Sequence, residues 1–310
     1  MLSCIPFENS SLKEQTELSK ISDEEMAQVK SGPFFTWYQR LFQVLTFVVF
    51  LGPIRAVIGI GCFLIMGTIV VIINSILKAL KCDLDKWRHF TYNIGRIGVR
   101  ILMWSLGVGW IHVDGEFDED ARFIIANHIG LLDPLIIVQI KYVSCVLKKE
   151  FSSLPFIRDI ISVTDPIYVD RSKPCGLTKH IIQQASNMKK DPIMIFPEGA
   201  ICNGNYMLKF HKSAFLTNYK VQPVVVQFWT PFSPSKWNTF SWLDQGPLEL
   251  LWNYYSIPFS ICRVKVLPAI QIDSENGDIE ALATKAQLMM ANELGIKAID
   301  RSSNEFYRTN

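Results

Sequence analysis

A strong charge of either sign is missing from this chain of 310 residues. Thirty-one Lys and Arg stand against 29 Asp and Glu, a net charge of +2. A dedicated nucleic-acid binder carries a large basic excess, so the balance argues against that class of partner. Charged residues amount to only 19%, whereas 49% are hydrophobic and mean hydropathy is +0.19. Such a chain is too apolar for disorder and unusually apolar for a soluble enzyme. The seven cysteines, at positions 4, 62, 82, 145, 175, 202 and 262, contain no CxxC pair. Scattered and odd in number, they point away from a zinc site or disulfide framework and towards reduced thiols facing the cytosol. The first 30 residues lack the basic and apolar regions of a cleavable signal peptide. They hold six acids and three lysines, and read as a polar tail with a short helix near Asp23–Val29. His180 and His211 lack partners at metal-ligand spacing, and the stretch from Asp273 has Thr284 where a calcium loop needs its twelfth-position glutamate. No metal is expected.

What the chain does have is a pair of long uncharged runs. Arg40 and Arg55 bracket fourteen uncharged residues, and Arg55 and Lys78 bracket twenty-two more. A 22-residue helix is roughly 33 Å long, about one hydrocarbon core. Its thirteen Leu, Ile, Val and Phe residues favour insertion by roughly 4–8 kcal/mol. Gly52-Pro53 separates the two runs. Three geometries are open: a spanning helix preceded by an interfacial one, a re-entrant hairpin, or a buried soluble hairpin. Residues 78–100 hold six Lys and Arg and two acids, which the positive-inside rule assigns to the cytosolic side. Arg88, Arg96 and Arg100 lie along one side of a helix, as suits either an anionic membrane surface or a core helix with a solvated basic edge.

From about residue 111 the pattern alternates. Apolar runs at 111–113, 123–126, 144–147, 167–169, 193–196, 221–228 and 262–267 read as strands. Helical stretches fall at 134–142, 154–161, 177–189 and 279–294, the last stopped by Gly295. This order predicts an α/β fold with a mostly parallel central sheet flanked by helices. The expected divisions are a tail over 1–33, membrane-associated helices over 34–110 forming an embedded hairpin, the α/β domain over 111–300, and a C-terminal tail over 301–310.

Ligand-contacting residues of α/β folds collect where strands end. After the second strand come Asn127-His128-Ile129-Gly130-Leu131-Leu132-Asp133-Pro134. On a continuous helix His128 and Asp133 would diverge by about 140°, so they meet only if a turn at Gly130 separates them. Asp133 before Pro134 suits a helix N-cap. An imidazole aimed by a carboxylate is the general-base half of a catalytic triad; taken alone, the spacing is more often a loop histidine beside a helix cap. Asp170-Arg171-Ser172 ends the fourth strand and Pro197-Glu198-Gly199-Ala200 the fifth, where Glu198 is expected to project at the sheet edge.

The ordered blocks NHIGLLD, VDRS, IFPEG and VQPVVV resemble those of the glycerolipid acyltransferase superfamily, the phosphatidic-acid-forming type. IFPEGAIC, KVQPVVVQF, SWLDQGPLELLW, VKVLPAI and ELGIKAID are most similar to the lysophosphatidylcholine acyltransferase branch. The resemblance covers roughly residues 35 to 300. It implies acyl transfer from acyl-CoA to a lysophospholipid hydroxyl, with acyl-CoA as co-substrate, no cofactor, membrane lipids as surroundings, and the endoplasmic reticulum membrane as location with the catalytic domain cytosolic. It implies His128 as base, Asp133 as its orienter, Arg171 as the contact to the acceptor's phosphate, and Glu198 and Gly199 as acceptor-binding. Where the family has Thr after this glycine the chain has Ala200. Where it has Phe-Lys-x-Gly-Ala-Phe the chain reads Phe210-His211-Lys212-Ser213-Ala214-Phe215, which leaves Lys212 as the neighbouring phosphate-binding candidate. The acceptors left open are lysophosphatidylcholine, 1-acylglycerol 3-phosphate and glycerol 3-phosphate. A membrane-anchored lipid-binding protein without activity is the reading outside the enzyme class.

Overall fold

The computed structural model describes residues 14–32, 35–169, 177–230, 240–243, 245–272 and 278–308. Four helices come first. The short α1 (Asp23–Lys30) opens with a capping box in which Ser22 and Glu25 satisfy each other's backbone N–H. α2 (Trp37–Val49) and α3 (Gly52–Ala79) are the two apolar runs, broken where Leu51 takes a left-handed conformation at φ 55° ahead of Pro53. α4 (Leu84–Ser105) packs along α3 and leads into the sheet. The rest alternates: β1 (Val108–Asp114), β2 (Ala121–Ala126), α5 (Leu132–Ile140), β3 (Ser144–Lys148), α6 (Pro155–Ile161), β4 (Ile167–Val169), α7 (Leu177–Ser186), β5 (Ile193–Ile195), β6 (Tyr206–Met207), β7 (Lys220–Trp229), α8 (Pro247–Tyr255), β8 (Ser260–Val266), α9 (Ile279–Leu294), β9 (Lys297–Ala298) and α10 (Ser303–Arg308).

All seven expected strands enter one sheet, in the order β1-β8-β7-β2-β5-β3-β4. β7, β2, β5, β3 and β4 run parallel, and β8 is antiparallel to β7 and parallel to β1. The sheet is thus mostly parallel with a reversed pair at one edge. The short β6 and β9 pair separately; two residues each are too few to show an alternation in sequence.

Helices cover both faces. Ile124 and Ala126 of β2 face a core shared with α4, α5 and α8, while Phe123 and Ile125 face one shared with α7 and α9. All six β2 residues are buried, the mark of a central parallel strand. Its one cation, Arg122, donates to the carbonyls of Ala185, Asn187 and Lys190 at and beyond the end of α7. Carbonyls there have no intrahelical donor, so a buried guanidinium is well partnered.

The basic side of α4 does not face outward. Arg88 is buried against Asp165 and Asp191, at 3.3 and 3.2 Å. Arg96 donates to the Val138 carbonyl and Arg100 to the Gly109 carbonyl. The membrane-surface role for these arginines is therefore corrected: they tie α4 to the sheet and its loops. Trp87, Phe90, Ile97 and Trp104 are left exposed on the other side.

Candidate active site

His128 follows β2 and Glu198 follows β5, and these strands are paired neighbours that run in parallel. Both side chains therefore start from the same edge of the sheet. His128 Nδ1 lies 3.0 Å from Asp133 Oδ2. The same oxygen accepts the backbone N–H groups of Ile129, at 2.6 Å, and Gly130, at 2.9 Å. A carboxylate only accepts, so the bond assigns the proton to Nδ1 and leaves the lone pair on Nε2. Asp133 is wholly buried, His128 is about one-fifth exposed, and the imidazole stacks on Phe196 at 4.2 Å. The ring is held on one face and at one nitrogen.

Two details differ from expectation. Asp133 is not the N-cap. α5 begins at Leu132, with Leu131 as its cap residue, and Asp133 sits in the first turn and folds back over the preceding loop. It accepts N–H groups of the loop before the helix and so fixes that loop in place of capping the helix. Gly130 is required by close approach, since a β-carbon there would overlap the Phe240 carbonyl oxygen.

Glu198 does not project from the sheet edge. It is buried, with Oε1 accepting the His128 N–H and Oε2 accepting the Leu208 N–H and facing the Cys202 thiol. Its carboxyl is pushed up to about 7, chiefly by burial, with the backbone donors pulling the other way. The same burial pushes the Cys202 thiol well up, away from nucleophilic character. Asp133 thus fixes the side chain of His128 while Glu198 fixes its backbone. Gly199, in the left-handed region at φ 70°, turns the chain immediately after.

Lys212 is not brought to this dyad; its ammonium pairs with Glu280 at 2.9 Å, at the start of α9. Arg171 lies outside the described residues. Asn127, passed over in the sequence, latches β2 to β7: its amide donates to the Val226 carbonyl and accepts the Val226 N–H. The only clue was its adjacency to His128. Among the described residues, no group of three or more His, Cys, Asp and Glu is arranged to hold a metal.

Residues 111–229 match the family model described as Acyltransferase. A lysophosphatidylcholine acyltransferase of Drosophila melanogaster is 28% identical over 84% of this chain and 50% of its own length. The lysophospholipid acyltransferase LPCAT4 of Mus musculus is 30% identical over 72% of this chain and 44% of its own length. The chain thus spans about half the length of these curated relatives. Among solved structures, the 1-acyl-sn-glycerophosphate (LPA) acyltransferase PlsC from Thermotoga maritima has the same fold, with a TM-score of 0.56 at 16% identity over 82% of this chain and 95% of that one. Residues 111–229 thus carry a domain that matches the acyltransferase family, and over most of its length the chain is similar to lysophosphatidylcholine acyltransferases.

Proposed function

We propose that this chain is an acyl-CoA-dependent lysophospholipid O-acyltransferase with lysophosphatidylcholine as its leading acceptor. The observation that carries the reading is the His128–Asp133 pair at the end of β2, 3.0 Å apart, inside the acyltransferase domain. A lipid hydroxyl is a poor nucleophile near neutral pH. His128 Nε2 takes its proton as the oxygen attacks the thioester carbonyl, and Asp133 stabilises the imidazolium. Collapse of the tetrahedral intermediate breaks the carbon–sulfur bond. The imidazolium returns the proton to the departing CoA thiolate. The substrate hydroxyl acts where a triad serine would, so no acyl-enzyme forms. Arg171, Glu198, Gly199 and Lys212 are kept as the acceptor side; for Glu198 the buried geometry supports a bracing role over direct contact.

The reading includes a membrane-associated segment over 34–110, the catalytic domain over 111–300 and short ends, 1–33 and 301–310, with the domain on the cytosolic face of the endoplasmic reticulum. α3 is long and apolar enough to cross a bilayer and is largely exposed. Contacts of α2 and α3 with the domain favour the hairpin over a span. Arg40 pairs with Glu249, Thr46 donates to the Ser256 carbonyl, and Arg55 donates to the Ile257 carbonyl. Further along α3, Gly59 lies against Ser105 and Gly67 against Ile160 of α6. A helix in contact with the domain at both halves suits shallow insertion into the facing leaflet.

The test is a panel of lysolipid acceptors, with lysophosphatidate and glycerol 3-phosphate included, offered with one labelled acyl-CoA to membranes bearing the chain. His128→Ala should lower transfer about 10²–10⁴-fold at unchanged protein level. Full turnover in that variant, or no transfer to any acceptor by the parent chain, refutes the reading.

A further inference from the structure

Ser303, in the stretch 301–310 that the sequence leaves as a tail, reaches the turn at Gly199 in the candidate active site. Ser303, the first residue of α10, is buried, and its Oγ lies 2.7 Å from His211 Nε2. His211 in turn donates its backbone N–H to the Pro197 carbonyl at 2.8 Å. Both side chains sit over Gly199: a β-carbon there would be 2.7 Å from His211 Nε2 and 2.9 Å from Ser303 Oγ. Gly199 directly follows Glu198, whose carboxylate holds the backbone of His128.

The segment carrying Ser303 is itself anchored on both sides. On one, Ile299 donates to the Met207 carbonyl, Lys209 donates to the Arg301 carbonyl, and β9 pairs with β6. On the other, the N-terminal segment closes over it. Ser19 bridges to Ile299, Gln15 takes the Ala298 N–H, and Arg301 pairs with Asp23. Both ends of the described chain therefore converge on the loop from Pro197 to His211. Within this arrangement, Ser303 and His211 are the pair that reaches the Gly199 turn.

We propose that Ser303 and His211 act together as positioning residues that fix the Pro197–Ala200 turn for the lipid acceptor. This rests on the acyl-transfer reading above, in which that turn lies on the acceptor side. Glu198 of this turn holds the His128 backbone, but the imidazole itself is fixed by Asp133 and Phe196, so loosening the turn at Gly199 should weaken acceptor binding more than proton transfer.

Hydrogen exchange and steady-state kinetics on the full chain in detergent–phospholipid micelles test the proposal. In Ser303→Ala, the amides of Gly199 and His211 should exchange faster. The KM for lysophosphatidylcholine should rise about three- to tenfold, as for the loss of one hydrogen bond. The KM for acyl-CoA, kcat and the pH profile should stay within twofold. Ser303→Thr, which keeps the hydroxyl, should restore the parent values. His211→Leu should match Ser303→Ala, and the double variant should be no worse than either alone, because the two act as one unit. Unchanged exchange in Ser303→Ala overturns the contact. Faster exchange with an unchanged acceptor KM, or equal rises in both KM values, overturns the positioning role. If the parent chain transfers no acyl group, the functional reading fails and the positioning role with it. The exchange result reads out the contact independently of turnover.

Discussion

At the residue scale, one oxygen of Asp133 gathers three donors, His128 Nδ1 and the N–H groups of Ile129 and Gly130, while the other has no hydrogen-bond partner. Asp133→Asn can keep its carbonyl oxygen at the shared point, but then buries an unpartnered amide. The expected outcome is a stability loss of about 1–3 kcal/mol, seen in thermal melts, together with a fall in turnover of roughly 10²-fold or more, because the imidazolium loses its counter-charge. Glu198 gives a pH signature. Its carboxyl is raised from 4.5 to about 7, so between those values the folded state holds a proton that the unfolded chain has released. The stabilisation from this group is therefore complete below 4.5 and is lost as pH rises through about 7. Glu198→Gln removes that dependence. The stability gap between parent and variant should narrow with rising pH by on the order of 3 kcal/mol, measured by denaturant titration at a series of pH values. A constant gap would place the carboxyl in the ordinary range.

At the element scale, close helix contacts replace polar ones. A β-carbon at Gly59 of α3 would overlap the Ser105 side chain of α4, and one at Gly98 of α4 would lie 2.8 Å from Met66. Gly59→Val should therefore pry α3 from α4 and cost about 1–3 kcal/mol, read as a lowered melting temperature in detergent. Gly61, with open space around it, is the control position that should tolerate the same change. α4 also shows why its period was legible and its orientation was not. The spacing of Arg88, Arg96 and Arg100 marks one side of a helix. Which side faces inward depends on carbonyls and carboxylates supplied by remote segments, among them Val138, Gly109, Asp165 and Asp191.

At the scale of the whole molecule, the exposed apolar residues of α2, α3 and α4 share the helical region that precedes the sheet. Water would have to cover Trp87, Phe90, Ile97 and Trp104 together with most of α3. So large an exposed apolar surface marks an interaction with lipid or protein, and the proposed occupant is a bilayer. Replacing Phe90, Ile97 and Trp104 by Asp should leave the fold intact, since all three are about half exposed, and should release protein from vesicles in a flotation assay. Variant protein that floats as well as the parent would argue that α4 lies clear of the lipid.

The alternation of apolar runs and turn signals determined by itself the α/β class, all seven strands of the main sheet and the Gly295 helix stop, because each depends on local period and local backbone freedom. The same local chemistry put a histidine and an aspartate five residues apart on either side of a glycine. Tertiary structure alone decided the reversed β1–β8 pair, the insertion of β5 between β2 and β3, and the burial of Glu198 under the His128 backbone. It also brought Ser303 to His211 from 92 positions away. These depend on which distant segments share a core or supply a missing hydrogen-bond partner, and no period along the chain encodes that choice.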